Sequence, residues 1–232
     1  MSQHGILKNV VGKKLIMGLT GIFLVSFLVV HVGINACALV NDDGYTFNTA
    51  AEFMASNFFI RTAEWGLFLG LLIHVFDAAV LTLHNRKSRP VAYAKMDGKA
   101  NSTWYSRSMG ILGTLLLIFL IVHLAHFWVK SRFTGLEDQL YNNGTILPDL
   151  YKQMSDTFQS LWVVILYTVA QFSLAYHLLH GFPSAFQTLG ISHPKYNPLI
   201  KIVGITFSIV VPTLFAIIPV VLYLRSNHLI NF

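Results

Sequence analysis

His31, His74, the pair His123 and His126, and the pair His177 and His180 all lie inside long apolar runs. An imidazole can ligate a metal, relay a proton or bond to a neighbouring helix, and a polar side chain in lipid is costly enough to mark function. In the run A-Y-H-L-L-H-G-F-P-S-A-F-Q-T-L-G, residues 175–190, the two histidines stand three apart. On an α-helix that spacing sets them about 60° apart, on one face. Four helices that each aim a histidine inward describe a cofactor buried between helices.

The elements that position these residues follow from composition. The chain has 232 residues, of which 54% are hydrophobic and only 11% charged. Ordinary soluble domains carry about 25% charged residues. The expected fold is an all-α membrane protein, one membrane domain over 1–232. Five transmembrane helices are expected at about 13–40, 58–83, 105–129, 158–188 and 199–224, each long enough for a ~30 Å hydrocarbon core. The N-terminal segment has no cleavage-site pattern and the first apolar run is too long for a signal-peptide core, so it reads as a retained span. Asn41 to Ser56 reads as a short acidic loop, Asn85 to Trp104 as a basic loop, and Lys130 to Thr157 as a long loop of mixed charge. Pro183 is expected to kink the fourth span.

The formal net charge is +6, with 16 Lys and Arg. With the N-terminus inside, eleven of those 16 flank the cytoplasmic ends. The positive-inside rule therefore gives N-in, C-out, and the basic balance reports topology rather than nucleic acid. Cys37 is the single cysteine. That excludes an internal disulfide, a Cys-ligated iron–sulfur cluster and C-x-x-C-H haem attachment.

Depth sorts the histidines. At 1.5 Å per residue, His31 and His123 lie roughly 24 and 27 Å from the inner ends of their spans, in the outer half. His74, His177 and His180 lie in the inner half of descending spans. The result is two layers: His31 with His123 or His126, and His74 with His180 or His177. Two bis-histidine sites at different depths suit two haem b groups with axial imidazoles. Gly66, Gly70 and His74 follow i, i+4, i+8, a face bare enough for a flat macrocycle. The same glycines also fit a small-x-x-x-small helix contact. Lys13, Lys14, Trp104 and Arg107 stand at the inner surface as candidates for holding propionates. Asp77, one turn beyond His74, is a candidate hydrogen-bond acceptor near that site. A membrane di-metal oxygenase would want its histidines clustered near one face or joined by carboxylates. A haem-free transporter would use the histidines as a proton relay.

The ordered set resembles a known family. Five spans, one ligand histidine on each of the first four, and the runs G-L-L-I-H-V-F-D, F-L-I-V-H-L-A-H-F-W and L-L-H-G-F-P-S-A-F-Q-T-L-G are similar to the dihaem cytochrome b anchor of succinate:quinone oxidoreductases. These are the bacterial succinate dehydrogenases and fumarate reductases with a single five-helix anchor, and the resemblance covers nearly the whole chain. It implies His31 and His123 on the iron of an outer haem and His74 and His180 on an inner one, with His126 and His177 as alternatives. It implies a flavoprotein subunit and an iron–sulfur subunit on the cytoplasmic side, and electron transfer to a membrane quinone, menaquinone rather than ubiquinone. The membrane would be the bacterial inner membrane. A quinone site near the outer haem makes Glu52 and Glu64 the proton-handling candidates. No G-x-G-x-x-G loop or cysteine cluster is present, so the dicarboxylate chemistry belongs to other subunits. Quinol-oxidising b subunits of other respiratory complexes place their histidines on different helices.

Overall fold

The computed structural model describes residues 9–87 and 103–230. Five long helices carry the fold: α1 (Val10–Ala36, extended by a 3₁₀ turn Cys37–Leu39), α3 (Phe58–Lys87), α5 (Met109–His123, continued as π-helix to Thr134), α7 (Leu161–Thr188) and α8 (Asn197–Ser226). All five are long and apolar enough to cross a membrane. Shorter elements sit between them: α2 (Tyr45–Ser56), α4 (Trp104–Arg107), a hairpin of β1 (Asp138–Leu140) and β2 (Ile146–Pro148), and α6 (Leu150–Thr157). The chain is a multi-pass membrane protein, and its outward faces agree: Trp65, Phe76 and Leu72 are 75%, 68% and 66% exposed. In water that would be an aggregation hazard; in lipid it is solvation.

Helix starts follow side-chain capping. Asn9 Oδ1 accepts from Gly12 N at 2.6 Å, and Asn57 Oδ1 accepts from Phe59 N at 3.0 Å and Ile60 N at 3.2 Å. These supply acceptors to N–H groups that a helix leaves orphaned. At the other end of the fold, Arg225 donates to the carbonyls of Ala38 at 3.2 Å and Leu39 at 2.7 Å, closing the C-terminus of α1 onto α8.

Packing sets the order of the bundle. α1 contacts α3, α7 and α8; α7 contacts α1, α5 and α8; α3 and α5 meet briefly. Around the first four spans the cyclic order is therefore α3, α1, α7, α5, with α8 outside against α1 and α7. The α7–α8 seam is the most extensive. There a Cβ on Gly204 would stand 2.8 Å from the ring of Phe182. Gly204→Val is expected to cost about 2 kcal/mol through overpacking, read as a lowered Tm in detergent with the α-helical spectrum retained.

Two expectations about loops are corrected. Residues 41–56 contain α2, and residues 130–157 contain the end of the third span, a β-hairpin and α6. Some of the polar residues here cap the helices. Asp42 accepts from the amide and hydroxyl of Thr46 at the start of α2, and Asp149 accepts from Lys152 N at 2.9 Å at the start of α6. Gly44 has φ +81°, and a Cβ there would collide with Tyr151, so only glycine serves that turn. Ala38, Phe47, Met154, Phe158, Val164, Tyr167, Ile218 and Leu222 form one buried cluster that joins this cap to the bundle. Helix α7 runs unbroken through Pro183. The third span departs from the expected 105–129 by starting afresh at Met109 after α4 and reaching Thr134. Arg89, Lys95 and Lys99 of the basic segment lie outside the described residues.

Candidate functional site

The imidazoles of the first four spans meet as two pairs. His31 on α1 faces His123 on α5, ring centroids 5.8 Å apart with planes at 87°. His74 on α3 faces His177 on α7 at 6.3 Å and 60°. In the cyclic order above, α1–α5 and α3–α7 are the two diagonals of the bundle. Both pairs therefore reach across its centre rather than along a helix seam.

The pairs are separated along the bundle. His74 contacts α1 at Thr20, eleven residues before His31. On α5, Gly113 lies beside His177, ten residues before His123; on α7, Tyr167 lies beside His123, ten residues before His177. At 1.5 Å per residue each offset amounts to about 15 Å. Three helices give the same spacing, so the two layers expected from depth are present.

Each pair has its own supports. Thr20 Oγ1 donates to the carbonyl of Ile16 at 2.8 Å, so at 3.1 Å it receives the Nδ1–H of His74. That leaves His74 Nε2 with the free lone pair. The amide of Asn35 lies 3.3 Å from Nδ1 of His31 and donates to its carbonyl at 2.8 Å. Phe27, Phe215, Phe119, Phe127 and Tyr167 ring the His31–His123 pair with centroids between 4.9 and 6.1 Å from one imidazole or the other. This packing shields the pair from water. At the other layer, a Cβ on Gly21 would stand 3.7 Å from His74 Cε1, and one on Gly113 3.8 Å from His177 Cε1.

The donor set fits a metal held by two opposed imidazoles. With metal–nitrogen bonds of about 2.0–2.1 Å, two such rings have centroids roughly 6 Å apart. The Nδ1 atoms of His123 and His177 are buried and have no hydrogen-bond partner among the described residues, whereas buried polar atoms are normally satisfied. Among the described residues no three His, Cys, Asp or Glu side chains gather into an ion-binding group. The histidines are arranged in pairs, unlike the clustered ligands of a di-metal oxygenase.

Several expected site residues stand elsewhere. His177 takes the place expected of His180: no ring contact joins His180 to His74. His126 also leaves the expected face, and its Nδ1 lies 3.0 Å from the Tyr167 hydroxyl. The cause is the π-helical segment Leu124–Trp128. Its wider turn roughly doubles the ~60° that an α-helix would set between His123 and His126. Gly70 is buried under Phe23, 3.1 Å from where its Cβ would be, so it serves the α1–α3 contact; Gly66 opens outward with nothing near it. Gly21 and Gly113, not Gly66 and Gly70, flank the imidazoles of His74 and His177. Trp104 packs on Tyr176, centroids 5.3 Å apart, next in sequence to His177. Lys13 is half-buried and Lys14 and Arg107 are exposed at the same end of the bundle. Asp77 is 6% exposed, and its Oδ2 has no partner among the described residues.

Glu64 is fully engaged. Arg61 lies 3.1 Å and Arg132 3.2 Å from its Oε2, and Trp128 Nε1 donates to its Oε1 at 2.6 Å. It ties α3 to the end of the third span. Glu52 lies half-buried on α2. Thr20, Asn35 and Tyr167 were not picked out from the sequence. Their signal was there: a polar side chain in an apolar run, and Asn35 one turn from His31.

No family model, no curated protein and no solved structure matches this chain.

Proposed function

We propose that this chain is the cytochrome b membrane anchor of a succinate:quinone oxidoreductase. It would hold two haem b groups and carry electrons between an iron–sulfur subunit and membrane quinone. The observation that carries the reading is the pair of cross-bundle imidazole contacts, on opposite diagonals and about 15 Å apart along the helices. The sequence resemblance supplies the complex, its flavoprotein partner, menaquinone and the bacterial inner membrane. The basic end of the bundle, with Lys13, Lys14, Arg107 and Lys195, would face the cytoplasm and dock the partner subunits.

In this reading His31 and His123 hold the outer haem, and His74 and His177 the inner. Haem iron held by two protein nitrogens supplies one-electron transfer. The chain does the rest. Thr20 fixes the tautomer and orientation of His74, as outer-shell partners of metal-bound histidines do. Asn35 anchors His31 by donating to its backbone carbonyl. The aromatic ring around His31 and His123 excludes water. The diagonal placement sets the two imidazole pairs across the bundle axis, one above the other. Glu64 is occupied by two arginines and an indole, so Glu52 becomes the preferred proton-handling carboxylate for the quinone.

The test is a dithionite-reduced minus oxidised spectrum with a pyridine haemochrome count on the purified complex. Two haem b per chain are expected; none would overturn the reading and favour a haem-free histidine relay. Thr20→Val offers a finer check. Removing the acceptor of His74 Nδ1–H is expected to weaken retention of one haem about ten-fold, leaving the other unchanged. Transfer of haem to a scavenging apoprotein, followed spectroscopically, measures it.

A further inference from the structure

A second binding feature lies away from the histidines, at the end of the bundle where α7 finishes and α8 begins. A groove of about 500 Å³ runs there between α4, α7 and α8. Part of its lining is apolar, with Leu179, Pro183, Ile200 and Gly204, and part is polar, with Tyr105, Gln187, Asn197 and Lys201. Gly204 and Pro183 add little side-chain bulk to its lining, and Phe182 packs where a Gly204 Cβ would be.

The charge of the groove selects its occupant. Among the described residues no Asp or Glu lines it. Lys201 is exposed and makes no ion pair among the described residues. Asn197 opens α8, whose N-terminus carries a partial positive charge. Eight of the ten acidic residues of the chain (Asp42, Asp43, Glu52, Glu64, Glu137, Asp138, Asp149, Asp156) belong to the opposite end. An apolar trough that ends at a membrane surface beside a cation with no ion pair among the described residues suits an anionic amphiphile. A quinone is neutral and has no use for the cation.

We infer that this groove is a binding site for one acidic phospholipid. An acyl chain lies along Pro183 and Gly204, and the headgroup phosphate meets the Lys201 ammonium. Basic pockets between membrane helices recognise anionic headgroups in this way. The inference does not depend on what the histidines hold.

The test is native mass spectrometry of the purified full-length protein, delipidated in detergent. It is then offered phosphatidylglycerol and phosphatidylcholine with the same acyl chains. One phosphatidylglycerol per chain is expected, favoured over phosphatidylcholine about five-fold, the increment of one headgroup–lysine contact. Lys201→Gln should abolish that preference. Ile205→Trp, which fills the trough without touching the charge, should abolish retention of both lipids. Lys195→Gln, outside the groove, should change neither. Equal retention of the two lipids by the wild-type chain would overturn the inference. So would an unchanged preference in Lys201→Gln, or a quinone retained in place of lipid.

Discussion

With two haem b per chain, as proposed, replacing His177 with alanine is expected to lower the haem content to one, while His180→Ala leaves it at two. His74 and His177 face each other at 6.3 Å across the α3–α7 diagonal, and the buried Nδ1 of His177 has no partner among the described residues. His180 is one helical turn away and makes no ring contact with His74. Loss of one of two opposed nitrogen ligands leaves an iron with one open position, and the group then depends on a single bond and its packing. His123→Ala is the parallel case on the other diagonal, with His126→Ala as its silent partner, because His126 is turned onto Tyr167. The pyridine haemochrome count measures all four variants. Reduced-minus-oxidised spectra identify which component is lost: His177→Ala and His74→Ala should remove the same one, and His31→Ala and His123→Ala the other. If His180→Ala loses a haem and His177→Ala does not, the assignment of the inner pair is wrong.

The five spans were legible because twenty apolar residues in a row have one meaning in a chain this poor in charge. The two layers were legible too, since depth is only a count of residues from a span end. The choice within each H-x-x-H pair was not. At positions 177 and 180 an α-helix keeps both rings on one face, so 60° of rotation decides, and rotation is set by packing of α7 on α1, α5 and α8. At positions 123 and 126 the answer turns on a π-helical segment that no local residue announces; its wide turn sends His126 to α7. The glycines misled for a related reason. Gly66, Gly70 and His74 share a periodicity that suits either a bare face for a cofactor or a close helix contact, and Phe23 of α1 fills the place beside Gly70. The cap was missed because its order rests on contacts between residues about a hundred apart, from Asn48 to Tyr141 and Asp149. Local composition, rich in Asp, Asn and Tyr, looks like loop whether or not such bonds form.

Asn48→Ala is expected to open that cap, at a cost of about 3 kcal/mol. Asn48 is completely buried. Its Nδ2 donates to the Tyr141 hydroxyl at 2.7 Å and to Asp149 Oδ1 at 2.8 Å, and its Oδ1 accepts from Tyr151 N at 2.9 Å. One side chain thus joins α2, the hairpin and the start of α6. Alanine leaves the Tyr151 N–H and part of the Asp149 carboxylate buried without those partners, and each orphaned group costs about 1–3 kcal/mol. Asn143→Ala is the control: its amide donates to the Tyr45 hydroxyl at 3.0 Å on an exposed surface, so its loss should stay within about 0.5 kcal/mol. Hydrogen exchange separates the two outcomes that matter. Faster exchange confined to residues 45–56 and 138–157, with the spans still protected, identifies local opening; uniform acceleration would mean that the cap holds the bundle itself together. The consequence for function follows from continuity of packing. Phe158 of the cap contacts Phe127 at 6.0 Å and Tyr167 at 5.0 Å, and both lie beside His123. A loosened cap would admit water to the His31–His123 pair and spare His74 and His177, so the outer component of the spectrum should broaden or shift while the inner one stays. An unaltered outer component in a variant whose cap exchanges freely would show that the aromatic ring around His31 and His123 excludes water without the cap.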